Sequence, residues 1–71
     1  LQGEFLMKWI VYYRIIGGID AVIRYRNLAI MQHDIEMEKD KQFDYINACT
    51  ICDDGSEEIV YSSVEEILNA K

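Results

Sequence analysis

Two cysteines separated by two residues are the first candidates for chemistry in this sequence. Cys49 and Cys52 have the spacing at which two thiolates can hold one zinc ion or form a redox pair. A zinc site normally needs four ligands, and no second pair of this kind is present. On a strand, positions i and i+3 also point to opposite faces. We therefore expect both cysteines to be apolar fillers of a strand, with no metal and no cofactor.

His33 is the only histidine and the only side chain that titrates near neutrality without perturbation. A general base needs a nearby nucleophile and an orienting carboxylate, and on a strand the adjacent Asp34 would face the other way. The hydroxyl side chains stand in no glycine-rich or elbow-type turn: Thr50, Ser56, Ser62 and Ser63. The sequence thus predicts no catalytic residues and a protein that is not an enzyme.

An acidic cluster follows the cysteines, in the segment from Asp53 to Glu58. A calcium loop of the EF-hand type needs ligands at alternate positions over twelve residues and a closing glutamate, and this segment lacks that spacing. Asp53-Asp54-Gly55-Ser56 is instead a strong turn signal. We expect a solvated hairpin turn there.

Charge is divided unevenly along the 71 residues, whose net charge is −6. From Met7 to His33, four basic residues and one acidic residue give +3, whereas from Asp34 to Glu66, eleven acidic and two basic residues give −9. Aromatic and basic residues of the first segment, Trp9, Tyr13, Arg24 and Arg26, would suit nucleic acid. The acidic remainder argues against direct nucleic-acid binding and favours a protein partner with a basic surface.

The elements that position these residues begin with a predicted hairpin. Segment 8–16 is β-branched and aromatic, and Gly17-Gly18 can form a two-residue turn. That turn would pair Ile16 with Ile19 and Tyr12 with Ile23 on an apolar face. The opposite face would carry Trp9, Val11, Tyr13 and Val22, which we expect to form a self-association face.

Segment 28–38 fits two structures. Its residues have good helix propensity, but Ile30 and Met37 fall opposite Leu28, Met31 and Ile35 on a helical wheel. Read as a strand, the segment alternates almost cleanly, and we favour that interpretation. Segments 43–52 and 57–61 predict a second hairpin, and the capping box Ser63-Val64-Glu65-Glu66 predicts a helix over 64–70.

Together these elements predict an α+β fold: a small, hairpin-rich antiparallel sheet of four to five strands with a short C-terminal helix packed on one face. A ββαββα arrangement is the alternative if 28–40 is helical. We expect residues 1–6 to be a cloning or tag remnant and residues 7–71 to form one small domain. No apolar run is long enough to cross a membrane, and the two cysteines favour the cytoplasm.

The carboxylates are the remaining candidate site. On a strand, acids at i and i+2 lie about 6.5–7 Å apart, close to the spacing of phosphates. We expect a non-enzymatic interaction module, an inhibitor or regulator that occupies a basic groove of a nucleic-acid-handling protein, as small phage-encoded inhibitors of host nucleases or defence complexes do. The alternative is a homodimeric structural or regulatory subunit. The expected partner-binding residues are Asp34, Glu36, Glu38, Asp44, Asp53, Asp54, Glu57 and Glu58.

Overall fold

The computed structural model describes residues 8–71 and confirms the α+β fold. The prediction for residues 1–6 lies outside the described residues. The elements, in chain order, are β1 (Trp9–Ile15), β2 (Asp20–Tyr25), α1 (Leu28–Glu38), β3 (Phe43–Ile51), β4 (Glu57–Tyr61) and α2 (Val64–Asn69). The arrangement is therefore ββαββα, with four strands in the part of the chain that is described.

The four strands form one antiparallel sheet in the order β2-β1-β3-β4. Both helices pack on one face, here called the helix face, where they bury the core. That core comprises Val11, Tyr25, Met31, Ile35, Ile46, Ala48 and Ile67. The opposite face, here called the open face, carries Ile10, Tyr12 and Arg14 of β1 and the residues level with them on the other strands. Neither helix is long and apolar enough to span a bilayer within residues 8–71.

The predicted register of the first hairpin is wrong by one residue. Tyr12 lies opposite Val22, not Ile23, and Val11 lies opposite Ile23. The turn closes earlier than expected: the Gly18 amide donates to the Ile15 carbonyl at 2.7 Å, and Gly17 alone takes a positive φ, of 84°. A slip of one residue exchanges the two faces of a strand. Of the residues expected on one outer face, Val11 and Tyr13 consequently lie toward the helices and Val22 lies on the opposite face.

The strand interpretation of 28–38 is also wrong, because this segment is α1. Asn27 caps it: the side-chain oxygen accepts a hydrogen bond from the Ile30 amide at 2.9 Å. Met31 and Ile35 are buried one turn apart, whereas Ile30 and Met37 remain exposed. These two exposed apolar residues produced the false alternation. The helix propensity of the segment and its Asn27 cap therefore outweigh the alternating pattern, which wrongly predicted a strand.

The second hairpin and the last helix are confirmed. β3 and β4 pair around the turn at Gly55, which takes a φ of 89°, and Asp54 accepts hydrogen bonds from the amide and hydroxyl of Ser56. The Ser63 hydroxyl accepts from the Glu66 amide at 3.0 Å at the start of α2. The Glu66 carboxylate returns to the Ser62 amide at 2.7 Å, one residue before the expected partner.

Candidate functional site: a groove between the first helix and the first hairpin

A groove of about 320 Å³ lies on the helix face between α1 and the β1–β2 hairpin. Its floor is apolar and its rim carries the few polar groups, a combination that is typical of binding sites. The floor residues are Val11, Tyr13, Ile15, Ile23, Tyr25, Ile35 and Phe43, and the rim residues are Asp34, Met37, Glu38 and Lys41.

The groove exists because α1 does not cover the edge strand completely. Alternate residues of β1 point to the helix face, and Val11 at their centre is fully buried. On the edge strand β2, Ile23 keeps 38% of its surface exposed although it lies level with Val11. Met37, on the last turn of α1, is 72% exposed at the rim. Apolar surface is therefore accessible beside the core, where an apolar group from another molecule can be buried.

Carboxylates dominate the electrostatics of the rim. Asp34 and Glu38 are four residues apart on α1 and so lie on one side of the helix. Glu38 is already paired with Lys41 at 2.5 Å, whereas Asp34 has no ion pair within residues 8–71. Burial raises the pKa of Tyr25, and the nearby negative charge of Asp34 raises it further. The tyrosine thus stays neutral at physiological pH, and Asp34 supplies a charge that has no ion pair among the described residues.

The eight predicted partner-binding acids do not form a single outward wall. Asp34, Glu36 and Glu38 lie on a helix, so the strand spacing expected for them is wrong. Glu36 forms a 2.5 Å ion pair with Lys39, and Asp44 lies 3.7 Å from the guanidinium of Arg14.

The other four acids lie at the far hairpin. Asp53 and Asp54 are in its turn, and Glu57 and Glu58 begin β4 on opposite faces of the sheet. Asp54 accepts a hydrogen bond from the Ser56 amide, and Glu57 accepts one from the Tyr12 hydroxyl. Of the eight acids, Asp34 and Glu38 border the groove.

The expected self-association residues do not share a face either. Val11 is in the core, and Trp9 and Tyr13 pack against it beneath the helices. Trp9 stacks on Tyr61 with ring centroids 5.7 Å apart. Val22 is level with Tyr12 on the open face. The one-residue change of register accounts for this separation.

The cysteines and His33 remain apart from the groove. Cys49 is buried in β3, Cys52 is half-buried at its end, and both are free thiols. Burial raises the pKa of the Cys49 thiol, and the charge of Glu57 adds to the effect. His33 is exposed on α1. Among the described residues, no three histidine, cysteine or acidic side chains group closely enough to hold a metal ion.

Sequence reasoning missed the apolar part of the groove, because the strand interpretation separated its residues. Placing 28–38 on a helix puts Asp34 and Glu38 side by side, and that signal was available from the spacing alone. The placement of Ile23 and Met37 beside them depends on how α1 crosses the sheet. Comparisons of the chain with protein-family models, with curated proteins and with solved structures give no match.

Proposed function

We propose that this protein is a non-enzymatic interaction module that binds a protein partner in the α1–hairpin groove. The partner inserts one large apolar side chain between Ile23 and Met37 and places a basic side chain next to Asp34. The observation that carries the proposal is an accessible apolar floor bordered by a carboxylate, that of Asp34, which has no ion pair within residues 8–71. Free thiols at Cys49 and Cys52 support action in a reducing compartment such as the cytoplasm.

The size and charge of the groove favour this ligand. A volume of about 320 Å³ is at the small end of ligand pockets, which suits a side chain better than a large cofactor. The net charge of −6 attracts basic surfaces over a distance and speeds association. Recognition of an apolar anchor with a flanking charge is how many short peptide segments bind grooves.

The predicted match between the spacing of these acids and that of phosphates does not hold, since the acids of α1 are on a helix and not on a strand. Inhibition of a nucleic-acid-handling protein remains one form that the proposed module can take. In that form, the partner's basic residue meets Asp34 and its apolar residue fills the groove.

Selection of binding peptides from a random displayed library tests the proposal. We expect enriched peptides to contain a large apolar residue with lysine or arginine close to it. Asp34→Asn should weaken their binding by about 1.4- to 5-fold, since a partly exposed ion pair is worth about 0.2–1 kcal/mol. Ile23→Thr should weaken it further by removing apolar contact from the floor.

Glu36→Gln is the matched control, because Glu36 is also on α1 but lies outside the groove lining. It should leave binding unchanged at physiological salt. Peptides that lack the apolar and basic pair, or that bind equally well to the Asp34→Asn and Ile23→Thr variants, would refute the groove as the binding site.

A further inference from the structure

The outer edge of β2 is the second surface able to bind another chain. β2 is at the end of the strand order, and within residues 8–71 no strand pairs with its outer side. An edge strand presents unpaired backbone amides and carbonyls that can form a ladder with another strand. In the middle of β2, Val22 is 48% exposed and Ile23 is 38% exposed. No lysine or proline protects this edge, although such residues commonly prevent edge pairing.

The sequence of β2 is complementary to itself when two copies run antiparallel. Asp20 and Arg24 are each two residues from Val22 and share its face of the sheet. If Val22 pairs with Val22 of a second copy, each Asp20 lies directly opposite an Arg24. Opposite charges in directly facing positions stabilise antiparallel strands. Arg24 has no ion pair within the described residues, so its charge is available for this contact.

We propose that two copies of this chain form a homodimer through β2, with the two-fold axis at Val22, giving one continuous eight-stranded antiparallel sheet. The occupant of the edge is a second copy because, within the strand residues Asp20–Tyr25, the charges of β2 complement themselves when Val22 is at the centre. Each dimer gains two Asp20–Arg24 pairs, which offset part of the repulsion between two chains of net charge −6.

The opposite edge of the sheet lacks this complementarity. β4 begins with Glu57 and Glu58, and antiparallel self-pairing about Ile59 would place Glu57 opposite Tyr61 with no basic residue in the strand. The open-face positions of β2 also lie on the other side of the sheet from the groove. Variants at Asp20, Val22 and Arg24 thus test dimerisation without changing the lining of the groove, so either proposal can fail without the other.

Cross-linking tests the position of the axis. In the dimer, residues 22 of the two copies are opposite each other, with Cα atoms about 4.5–5.5 Å apart, which is within the range for a disulfide. In a Cys52→Ser background, Val22→Cys should form a covalent dimer on oxidation with oxidised glutathione. Ile59→Cys is the matched control on the other edge, where the side chain is 59% exposed, and it should stay monomeric.

A charge exchange tests the register by sedimentation velocity. Wild type should show a concentration-dependent equilibrium between monomer and dimer. Arg24→Asp places acid opposite acid and should weaken dimerisation on the order of tenfold. The double variant Asp20→Arg, Arg24→Asp restores opposite charges and should restore the dimer. Lys71→Asp makes the same change of charge at the exposed C-terminus and should have little effect.

Circular dichroism verifies that each variant is folded. If Arg24→Asp unfolds, the Val22→Cys cross-link alone tests the dimer. A wild-type monomer at the highest soluble concentration with no Val22→Cys cross-link would overturn the proposal. Efficient cross-linking through Ile59→Cys, or a dimer that Arg24→Asp does not weaken, would overturn it as well.

Discussion

The Tyr12 hydroxyl donates a 2.5 Å hydrogen bond to Oε1 of Glu57, although β3 lies between their two strands. Tyr12 is level with Asn47 and Glu57 with Ile51, so the line joining them crosses Cys49 on the open face. The bond to Glu57 raises the pKa of Tyr12. Cys49 is buried at this crossing, while Val22 on the edge strand of the same face is exposed.

Removal of the Tyr12 ring should therefore make the Cys49 thiol reactive. In a Cys52→Ser background, we expect Tyr12→Ala to raise the rate of iodoacetamide alkylation on the order of tenfold, because the reagent no longer depends on local opening. Tyr45→Ala is the control, since it also removes a tyrosine ring from the open face, but one whose hydroxyl donates a hydrogen bond to Asp20. Equal alkylation rates in the two variants would show that Tyr12 does not shield the thiol.

Local signals in the sequence predicted the second hairpin and the last helix, whereas the alternating pattern of residues 28–38 concealed α1. The turn at Gly55 and the cap at Ser63 depend on neighbouring residues only, so they could be read directly. The first turn could close at either of two positions, because Gly17 and Gly18 both permit a positive φ. Burial of Val11 and Tyr25 in one core beneath the helices selects between these positions, and that is a tertiary effect.

Asn27 was the local signal for α1 that went unused. Its side chain accepts from the Ile30 amide, so Asn27→Ala should cost about 1 kcal/mol of unfolding free energy. Asn27→Asp keeps the accepting oxygen and should stay close to wild type. Urea denaturation measures both variants, with Asn69→Ala, at the exposed last residue of α2, as control. A loss as large in Asn27→Asp as in Asn27→Ala would mean that the cap contributes nothing.

Gln32 connects the two helices. Its amide nitrogen donates to the carbonyl oxygens of Ile67 and Ala70, both at 2.9 Å. Gln32→Glu keeps the shape but replaces the donor with a carboxylate that faces two acceptors. We expect a loss of about 1–3 kcal/mol of unfolding free energy, with the amides of α2 losing protection from hydrogen exchange first.

The control for this prediction is Gln42→Glu, which makes the same chemical change at an exposed position outside both helices. It should leave stability and exchange near wild type. Destabilisation of Gln32→Glu that spreads evenly over the sheet would contradict a role in docking α2.

Tyr25 provides a test of the groove in alkaline solution. Burial and the charge of Asp34 hold its pKa above the ordinary value of 10.0. The neutral phenol of the folded chain therefore contributes stability that is fully present below pH 10.0 and is lost as pH rises from there through the higher folded-state pKa. The unfolded chain ionises first over that interval, so the unfolding free energy should fall more steeply in wild type than in Tyr25→Phe.

Denaturation of both proteins at neutral pH and above pH 10.0 measures that difference. Spectrophotometric titration separates the two causes, because Asp34→Asn removes the charge and leaves the burial. We expect Asp34→Asn to lower the pKa of Tyr25 part of the way toward its ordinary value, while Asp53→Asn, in the distant hairpin turn, leaves it unchanged. A Tyr25 pKa that is the same in wild type and Asp34→Asn would show that the carboxylate does not act on the groove, and the proposed basic anchor would then have no charge to meet.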